Sequence, residues 1–231
     1  MNNINWNILE EHKVTQRDLY EGAFQIKMKA EQLEREGKDN ASLYESEYRI
    51  ISALAEMGDS LSMLLLGEML QGGKVPGLSM ENPVRRAMEL WQEAAENGEG
   101  RGYTNIGLVY LHRSVPGGGE DYGDVPYDPA KALACFHKAY DNGDSKAGRH
   151  IGLCYRDGIG SEPDDEKAYE WFCKAAERND STALYLKAEC LFNGTGVDAD
   201  REQCLKIMNK LVSDHAHDAD KAQEFMAKYY R

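Results

Sequence analysis

Apolar and small side chains recur at spacings of three and four residues along most of this chain. In residues 165–176, Ala168, Phe172 and Ala175 follow this spacing and therefore lie on one face of a helix. Three other segments repeat the pattern: Ala87, Trp91 and Ala94; Ala132, Phe136 and Ala139; Cys204, Met208 and Leu211. No convincing run of alternating β-branched residues is present, so the pattern predicts an all-α fold.

A second set of positions recurs upstream of these helices. Short polar phrases end at residues 59, 99, 144 and 180. The next residues, at 60, 100, 145 and 181, start the four copies. Seven positions after these starts lie Gly67, Gly107, Gly152 and Ala188. Ten positions after them lie Leu70, Tyr110, Tyr155 and Leu191. Small and large residues thus recur in register in four copies, which predicts a repeated helix–turn–helix unit that is clearest in residues 145–180.

The recurring glycine has a physical explanation. Glycine inside a helix is less favourable than alanine by about 0.8–1.0 kcal/mol. Its return at one repeat position indicates that a neighbouring helix crosses there at short distance. The large residue three positions later, Tyr155 in the clearest copy, is expected to fill the buried space beside that crossing.

The repeat resembles the Sel1-like family, which is related to tetratricopeptide repeats. The third copy carries the resemblance, with IGLCYRDGIG at 151–160 and DEKAYEWFCKAA at 165–176. The match is looser in the first two copies and degenerate in the fourth. The resemblance implies a right-handed α-solenoid of about ten to twelve helices.

We predict a single α-solenoid domain over residues 1–231. A diverged helical pair occupies 15–57, with helices at 18–35 and 43–57, and a short extra helix is predicted at 3–11. The repeats occupy 60–99, 100–144, 145–180 and 181–213, and 214–231 contains a capping helix at 218–230. Caps are expected because one repeat cannot cover both of its faces.

The charge narrows the range of partners. The chain carries 27 Lys and Arg against 40 Asp and Glu, a net charge of −13, which disfavours nucleic acid and anionic membranes as partners. The N-terminal residues lack the basic and apolar regions of a signal peptide, and no apolar run is long enough to span a membrane. With five scattered cysteines, these features predict a cytoplasmic protein with reduced thiols.

Local motifs for catalysis or metal binding are weak. The glycines at 117–119 lack the Lys and Ser or Thr of a phosphate loop, and the Gly-x-Gly pairs at 158–160 and 194–196 recur with the repeat as turns. Acidic residues at 128, 164 and 198–200 precede second helices and are interpreted as helix caps. His215 and His217 alone are too few ligands for a metal site. We therefore expect no catalytic residues, metal or cofactor.

The first helix of each repeat is expected to line a concave surface if the register follows that of tetratricopeptide repeats. Its inward positions carry a local basic cluster, Arg101, Lys146 and Arg149, in an otherwise acidic chain. The predicted binding residues are this cluster and its polar or aromatic neighbours: Arg101, Asn105, Lys146, Arg149, His150 and Tyr185. They could hold a carboxylate or an acidic peptide. The alternative is a solvated face whose charges pair with nearby acids at little gain.

One connection is longer than its counterparts. From Arg113 to Ala132 the chain runs 19 residues, whereas the same interval in the third and fourth copies is 10. Its segment 115–127 contains Tyr122 and Tyr127. Long loops on rigid scaffolds often bind ligands, but they also tolerate neutral insertions. Tyr122 and Tyr127 are therefore a second candidate binding site.

The resemblance implies a non-catalytic scaffold or adaptor that binds a peptide or protein on its concave face. A narrower alternative is an acidic partner that neutralises a basic toxin or effector, as the charge would suit. An enzymatic alternative is a cell-wall or β-lactam hydrolase of the disulfide-rich branch of the family. That branch is exported, and in this chain Cys154 and Cys190 lack its expected cysteine partners. The sequence gives no indication of oligomeric state.

Overall fold

The computed structural model describes residues 15–73, 80–113, 115 and 122–230. Within these residues the chain forms eleven α-helices and no strand. They are α1 (Gln16–Arg35), α2 (Ala41–Glu56), α3 (Ser60–Gln71), α4 (Pro83–Glu96), α5 (Arg101–Tyr110), α6 (Pro129–Asp141), α7 (Ser145–Asp157), α8 (Asp165–Glu177), α9 (Ser181–Asn193), α10 (Arg201–Ser213) and α11 (Ala219–Tyr229). The all-α prediction is confirmed, while the helix predicted at 3–11 lies outside the described residues.

The helices belong to two compact units, Met1–Tyr127 and Asp128–Arg231. The first unit contains α1 to α5 and the second contains α6 to α11. In both units, helices that follow one another in the chain pack together. The predicted pair at 18–35 and 43–57 corresponds to α1 and α2, and the predicted capping helix corresponds to α11.

Aspartates begin most of the repeat helices. At the first helices α3, α7 and α9, the carboxylates of Asp59, Asp144 and Asp180 accept hydrogen bonds from backbone N–H groups of the first turn. Asp128, Asp164 and Asp200 do the same at the second helices α6, α8 and α10. Such caps satisfy N–H groups that have no partner within the helix and contribute about 1 kcal/mol each. The interpretation of the acidic residues at 128, 164 and 200 as caps is confirmed.

Large buried side chains of the second helices rest on glycines of the first helices. Trp91 and Phe172 are fully buried. A methyl group added at Gly67 would overlap the Trp91 ring, and one added at Gly152 would lie 2.5 Å from Cε1 of Phe172. The Trp91 indole also donates a hydrogen bond of 3.1 Å to the Leu64 carbonyl. The predicted close crossing is confirmed at these two positions.

The Gly-x-Gly turns have a packing role as well. Gly158 and Gly194 end α7 and α9 in the left-handed conformation, which glycine adopts without steric cost. Gly160 lies so close to Pro129, and Gly196 to Asp165, that any added side-chain carbon would overlap the backbone there. Gly160 and Gly196 therefore allow each turn to pack closely against the start of the preceding second helix.

The large residue at the tenth position of the repeat was predicted to be buried, and this holds in only some of the copies. Leu70 and Leu191 are buried, but Tyr110 and Tyr155 are only half-buried. Tyr155 packs at the edge of the cluster formed by Ala168, Phe172 and Cys190. His137 also meets the Tyr155 ring edge-on, with centroids 6.4 Å apart, so the ring covers the core from its outer side.

Candidate functional site

The predicted binding residues fall into both units. Arg101 and Asn105 lie on α5 in the first unit. Lys146, Arg149 and His150 lie on α7, and Tyr185 lies on α9, in the second unit.

In the first unit, Arg101 and Asn105 converge on a glutamate of α3. Arg101 Nη2 lies 3.3 Å from Glu68 Oε1, and Asn105 Nδ2 donates to the same oxygen at 3.4 Å. Glu68 and Asn105 are buried. Arg101, whose positive charge was predicted to lie on a concave surface, is therefore already paired with the carboxylate of Glu68.

Two atoms of this cluster have no hydrogen-bond partner among the described residues. They are Nε of Arg101, a donor, and Oδ1 of Asn105, an acceptor. Most buried polar atoms in folded proteins are hydrogen-bonded.

Glu68 also lines a groove between α1, α2 and α3, which we call the α1–α3 groove. Its lining residues are Lys27, Glu31, Tyr44, Glu47, Leu65, Glu68 and Met69. The Tyr44 hydroxyl donates to Glu34 at 2.8 Å. Burial, with the carboxylates of Glu34, Glu31 and Glu47, raises the pKa of Tyr44 to about 12, as expected beside negative charge.

In the second unit, Arg149 is also paired. Its Nη1 donates to Asp180 Oδ1 at 3.2 Å. The Asp180 carboxylate is buried, and the same oxygen caps α9 by accepting from the Ala183 N–H at 3.0 Å. Arg149 thus links one first helix to the beginning of the next, which gives it a structural role.

The neighbours of Arg149 differ in how they are held. His150 stacks on the buried ring of Phe136, with ring centroids 5.0 Å apart and 20° between the planes. Lys146, three residues before Arg149, is exposed. Of the three predicted residues on α7, Lys146 presents its charge most openly to solvent.

Tyr185 lies near a set of polar residues between α9 and α11. Its ring meets Phe225 edge-on at 6.3 Å. Burial and the neighbouring carboxylate of Glu189 raise the pKa of Tyr185, and burial raises the pKa of Glu189. In the same region buried Asp218 accepts from Thr182 Oγ1 and from Lys221 Nζ, both at 2.7 Å.

The end of the long loop packs on the first unit. Arg85 forms two hydrogen bonds with Asp124, of 2.7 and 2.9 Å, and Val125 is buried. His112 Nε2 donates to the Val125 carbonyl at 2.9 Å. These contacts hold residues 122–127 in a defined conformation.

The two predicted loop tyrosines flank His112. Tyr122 stacks on the imidazole at 4.8 Å, and Tyr127 meets it edge-on at 5.7 Å. Tyr127 remains 56% exposed, whereas Tyr122 is half-buried. Binding by either residue stays a prediction, with Tyr127 the more accessible. Residues 114 and 116–121 of this loop lie outside the described part of the chain.

The histidines, acidic residues and cysteines form no metal site and no disulfide among the described residues. Residues 15–73, 80–113, 115 and 122–230 bring no three His, Cys, Asp or Glu side chains together in a metal-binding arrangement. The five cysteines are free, and burial raises the pKa of Cys135 and Cys190 to about 11. Their thiols are protonated at neutral pH and poorly nucleophilic.

None of the described helices is both long and apolar enough to cross a bilayer.

Sequence reasoning did not predict Glu68 and Glu189 as binding residues, although both occupy inward positions of the first helices. Glu68 and Glu189 occupy the same repeat position, eight residues beyond Ser60 and Ser181, on the first-helix face where the basic cluster was sought. The sequence signal that could have revealed them is glutamate at an otherwise apolar inward position, held by Leu153 in the third copy.

Comparison with known proteins identifies the repeat and its fold. A model of the Sel1 repeat matches residues 60–99, 118–144, 147–180 and 181–211. A solved Sel1 repeat protein from Oxalobacter formigenes superimposes with a TM-score of 0.66 at 20% identity, over 87% of this chain and 73% of that one. The protective antigen c5321 of uropathogenic Escherichia coli, which has the SLR fold, gives a TM-score of 0.44 at 18% identity, over 94% and 58%. The fold is therefore an all-α repeat solenoid, as the Oxalobacter structure shows.

A curated relative is similar over half of the chain. The rat protein DAP3-binding cell death enhancer 1 (Rattus norvegicus) is 38% identical over 119 residues, which is 51% of this chain and 21% of that protein. This chain therefore covers only about a fifth of that relative. The Sel1 repeat matches, in contrast, cover more than half of this chain, and the chain belongs to the Sel1 repeat family.

Proposed function

We propose that this protein is a non-catalytic interaction scaffold, which binds a peptide or a segment of another protein on the first helices of the repeats within its units. Sel1 repeat proteins in general mediate contacts between proteins. The observation that carries the proposal is the α1–α3 groove, where charged and apolar side chains line one concave site. Concave surfaces of repeat proteins are their usual binding surfaces.

The ion pairs in the structure determine what each predicted residue could contribute to binding a partner. Arg101 and Arg149 are paired with Glu68 and Asp180, so they would offer N–H donors to a partner without adding net positive charge. Lys146 would supply a charge. Asn105, His150 and Tyr185 would supply hydrogen bonds and ring contacts.

The rat relative agrees with this class of activity. Its name records binding to another protein, DAP3. The similarity supports protein binding as the kind of activity for this chain, while the partner itself is not transferred. A cytoplasmic location and a partner other than nucleic acid or membrane belong to the same proposal, supported by the free thiols and the charge of −13.

A narrower form of the proposal is an acidic partner that neutralises a basic protein. The net charge of −13 favours it, because opposite charge accelerates encounter and suppresses wrong partners.

Selection from a random peptide library displayed on phage tests the scaffold proposal directly. The immobilised chain is expected to enrich a consensus sequence, and a synthetic peptide of that sequence should bind in solution. Lys146→Glu, on first helix α7, should change binding by at least about fivefold, which corresponds to about 1 kcal/mol. The change is a loss for an acidic peptide and a gain for a basic one. Lys210→Glu makes the same charge change at an exposed position of second helix α10 and should leave binding unchanged.

Two results contradict the proposal. One is the absence of any enriched sequence. The other is binding that changes with Lys210→Glu and stays the same with Lys146→Glu.

A further inference from the structure

The α1–α3 groove carries more negative than positive charge. Glu31, Glu47 and Glu68 line it together with Lys27, so three carboxylates face one ammonium group. The charged side chains that contact this lining include Glu34 at Tyr44, Arg101 at Glu68 and Arg35 at Glu31. With them, the groove has four carboxylates against three cations. Glu47 and Glu68 are buried, where a charge acts more strongly than in water because the effective dielectric constant is lower.

Exposed apolar side chains continue the same helix faces. On α1, Phe24 precedes Lys27 by three residues and Glu31 by seven. On α3, Leu61 precedes Leu65 by four residues and Glu68 by seven. These spacings place each set on one face of its helix. Phe24 is 55% exposed and Leu61 is 42% exposed, and we call this pair the apolar rim.

The two helices that carry the apolar rim meet beside it. The hydroxyls of Tyr20 on α1 and Ser62 on α3 lie 2.7 Å apart. Tyr20 precedes Phe24 by one helical turn, and Ser62 follows Leu61 directly. This contact holds α1 and α3 together close in sequence to both residues of the apolar rim.

A hydrogen-bond acceptor without a partner lies against the groove. Asn105 is fully buried and its Nδ2 donates to the groove residue Glu68. Its Oδ1 has no partner among the described residues. The unpaired donor Nε of Arg101 belongs to the same cluster, so the unpaired atoms near Glu68 are one acceptor and one donor, and the excess of acceptors comes from the carboxylates.

We propose that the α1–α3 groove binds a basic amphipathic segment of a partner protein. An arginine of that segment extends toward Glu31, Glu47 and Glu68, and its apolar residues pack on Phe24 and Leu61. This inference rests on the proposed scaffold function and names the chemical class of the partner.

Arginine is the complement that the groove chemistry selects. Its guanidinium group has five N–H donors and no acceptor, and it binds carboxylates through paired, charge-assisted hydrogen bonds. An acidic or phosphorylated segment would instead meet repulsion from the carboxylates. The apolar rim adds a contact that a purely ionic partner would not use, which favours a segment with both kinds of side chain.

Fluorescence anisotropy with designed peptides tests the inference on the full chain. The first peptide carries arginine and leucine on opposite faces of a helical pattern, and the second replaces each arginine with citrulline, a neutral analogue of the same shape. The arginine peptide is expected to bind at least about tenfold more tightly, a difference of 1.4 kcal/mol. Glu31→Gln should weaken its binding about fivefold, and Leu61→Ser should weaken both peptides.

Glu21→Gln is the matched control. Glu21 lies on α1 like Glu31 but is absent from the groove lining, so this variant removes the same charge and should change affinity by less than about twofold. Equal affinity of the two peptides, or equal losses in the two glutamate variants, would overturn the inference. If the arginine peptide fails to bind while phage selection enriches other sequences, the inference is overturned and the scaffold function stands. Failure of both experiments overturns both.

Discussion

Glycine at the seventh position of the first helix determines how closely the two helices of a repeat approach. Gly152 lies against the fully buried ring of Phe172, and Gly67 lies against Trp91. Phe172 is enclosed by the core, so it cannot move aside for a larger neighbour without strain. At these positions packing outweighs the helix propensity that disfavours glycine.

Gly152→Ala is expected to destabilise the fold by about 1–3 kcal/mol, because the added methyl group would lie 2.5 Å from the Phe172 ring. Gly22→Ala is the matched control, since nothing lies within 4 Å of a methyl group at this position of α1. It should stabilise the fold by about 0.4–1 kcal/mol. Urea unfolding followed by circular dichroism measures both changes. An increase in stability for both variants would show that the crossing at Gly152 is loose.

Asp218→Asn tests a buried charge. Burial raises the pKa of Asp218, but hydrogen bonds from Lys221 and Thr182 outweigh burial and hold it below its ordinary 3.8. A carboxylate with a lowered pKa stabilises the fold at pH values above 3.8, and this contribution is lost as the pH falls through the lower folded value. Asp218→Asn should therefore be less stable than the native chain at pH 7, and the difference in melting temperature should shrink below pH 3.8. The same substitution at exposed Asp214 should have little effect. A difference that grows on acidification would contradict the assignment.

Helix pairs and their caps follow from local pattern, whereas the long loop depends on distant contacts. The end of the loop is held by Arg85 on α4 and His112 after α5. An ion pair between residues 39 positions apart leaves no periodic signal in the sequence. For the same reason the loop tyrosines were predicted as ligand contacts, and their packing around His112 was not foreseen.

Arg85→Ala is expected to release the end of the loop without unfolding the chain. An exposed ion pair contributes about 0–1 kcal/mol, so the melting temperature should barely change while hydrogen exchange at residues 122–127 accelerates. Arg86→Ala is the control, because Arg86 pairs with Glu89 within α4. Equal acceleration in both variants would show that Asp124 does not hold the loop.

The sequence predicted the repeat well and the site only in part. Register and spacing predicted Gly67, Gly152 and the buried rings of the second helices, since these features return at a fixed interval. The pairings Arg101–Glu68 and Arg149–Asp180 join residues 33 and 31 positions apart. Such pairs depend on how one repeat packs on the next, which composition does not reveal. A basic cluster therefore looked available in the sequence, although the structure neutralises two of its three charges.

At the scale of the whole molecule, charge is the dominant feature. A net charge of −13 produces a long-range attraction for basic partners that salt screens over about 10 Å at 0.1 M and about 3 Å at 1 M. The association rate of the arginine peptide should fall steeply as salt rises, whereas its dissociation rate should change less. Stopped-flow fluorescence separates the two rates. An association rate that is independent of salt would mean that charge does not guide binding.

The central claim is that partners bind on the first helices, and photo-crosslinking tests it most directly. A benzophenone amino acid would replace Leu61 or Lys146 on first helices α3 and α7, or exposed Gln92 or Lys210 on second helices α4 and α10. Illumination with the phage-selected peptide should yield crosslinks from Leu61 or Lys146 and none from Gln92 or Lys210. Crosslinks confined to Gln92 and Lys210 would contradict the claim and place the binding surface on the second helices.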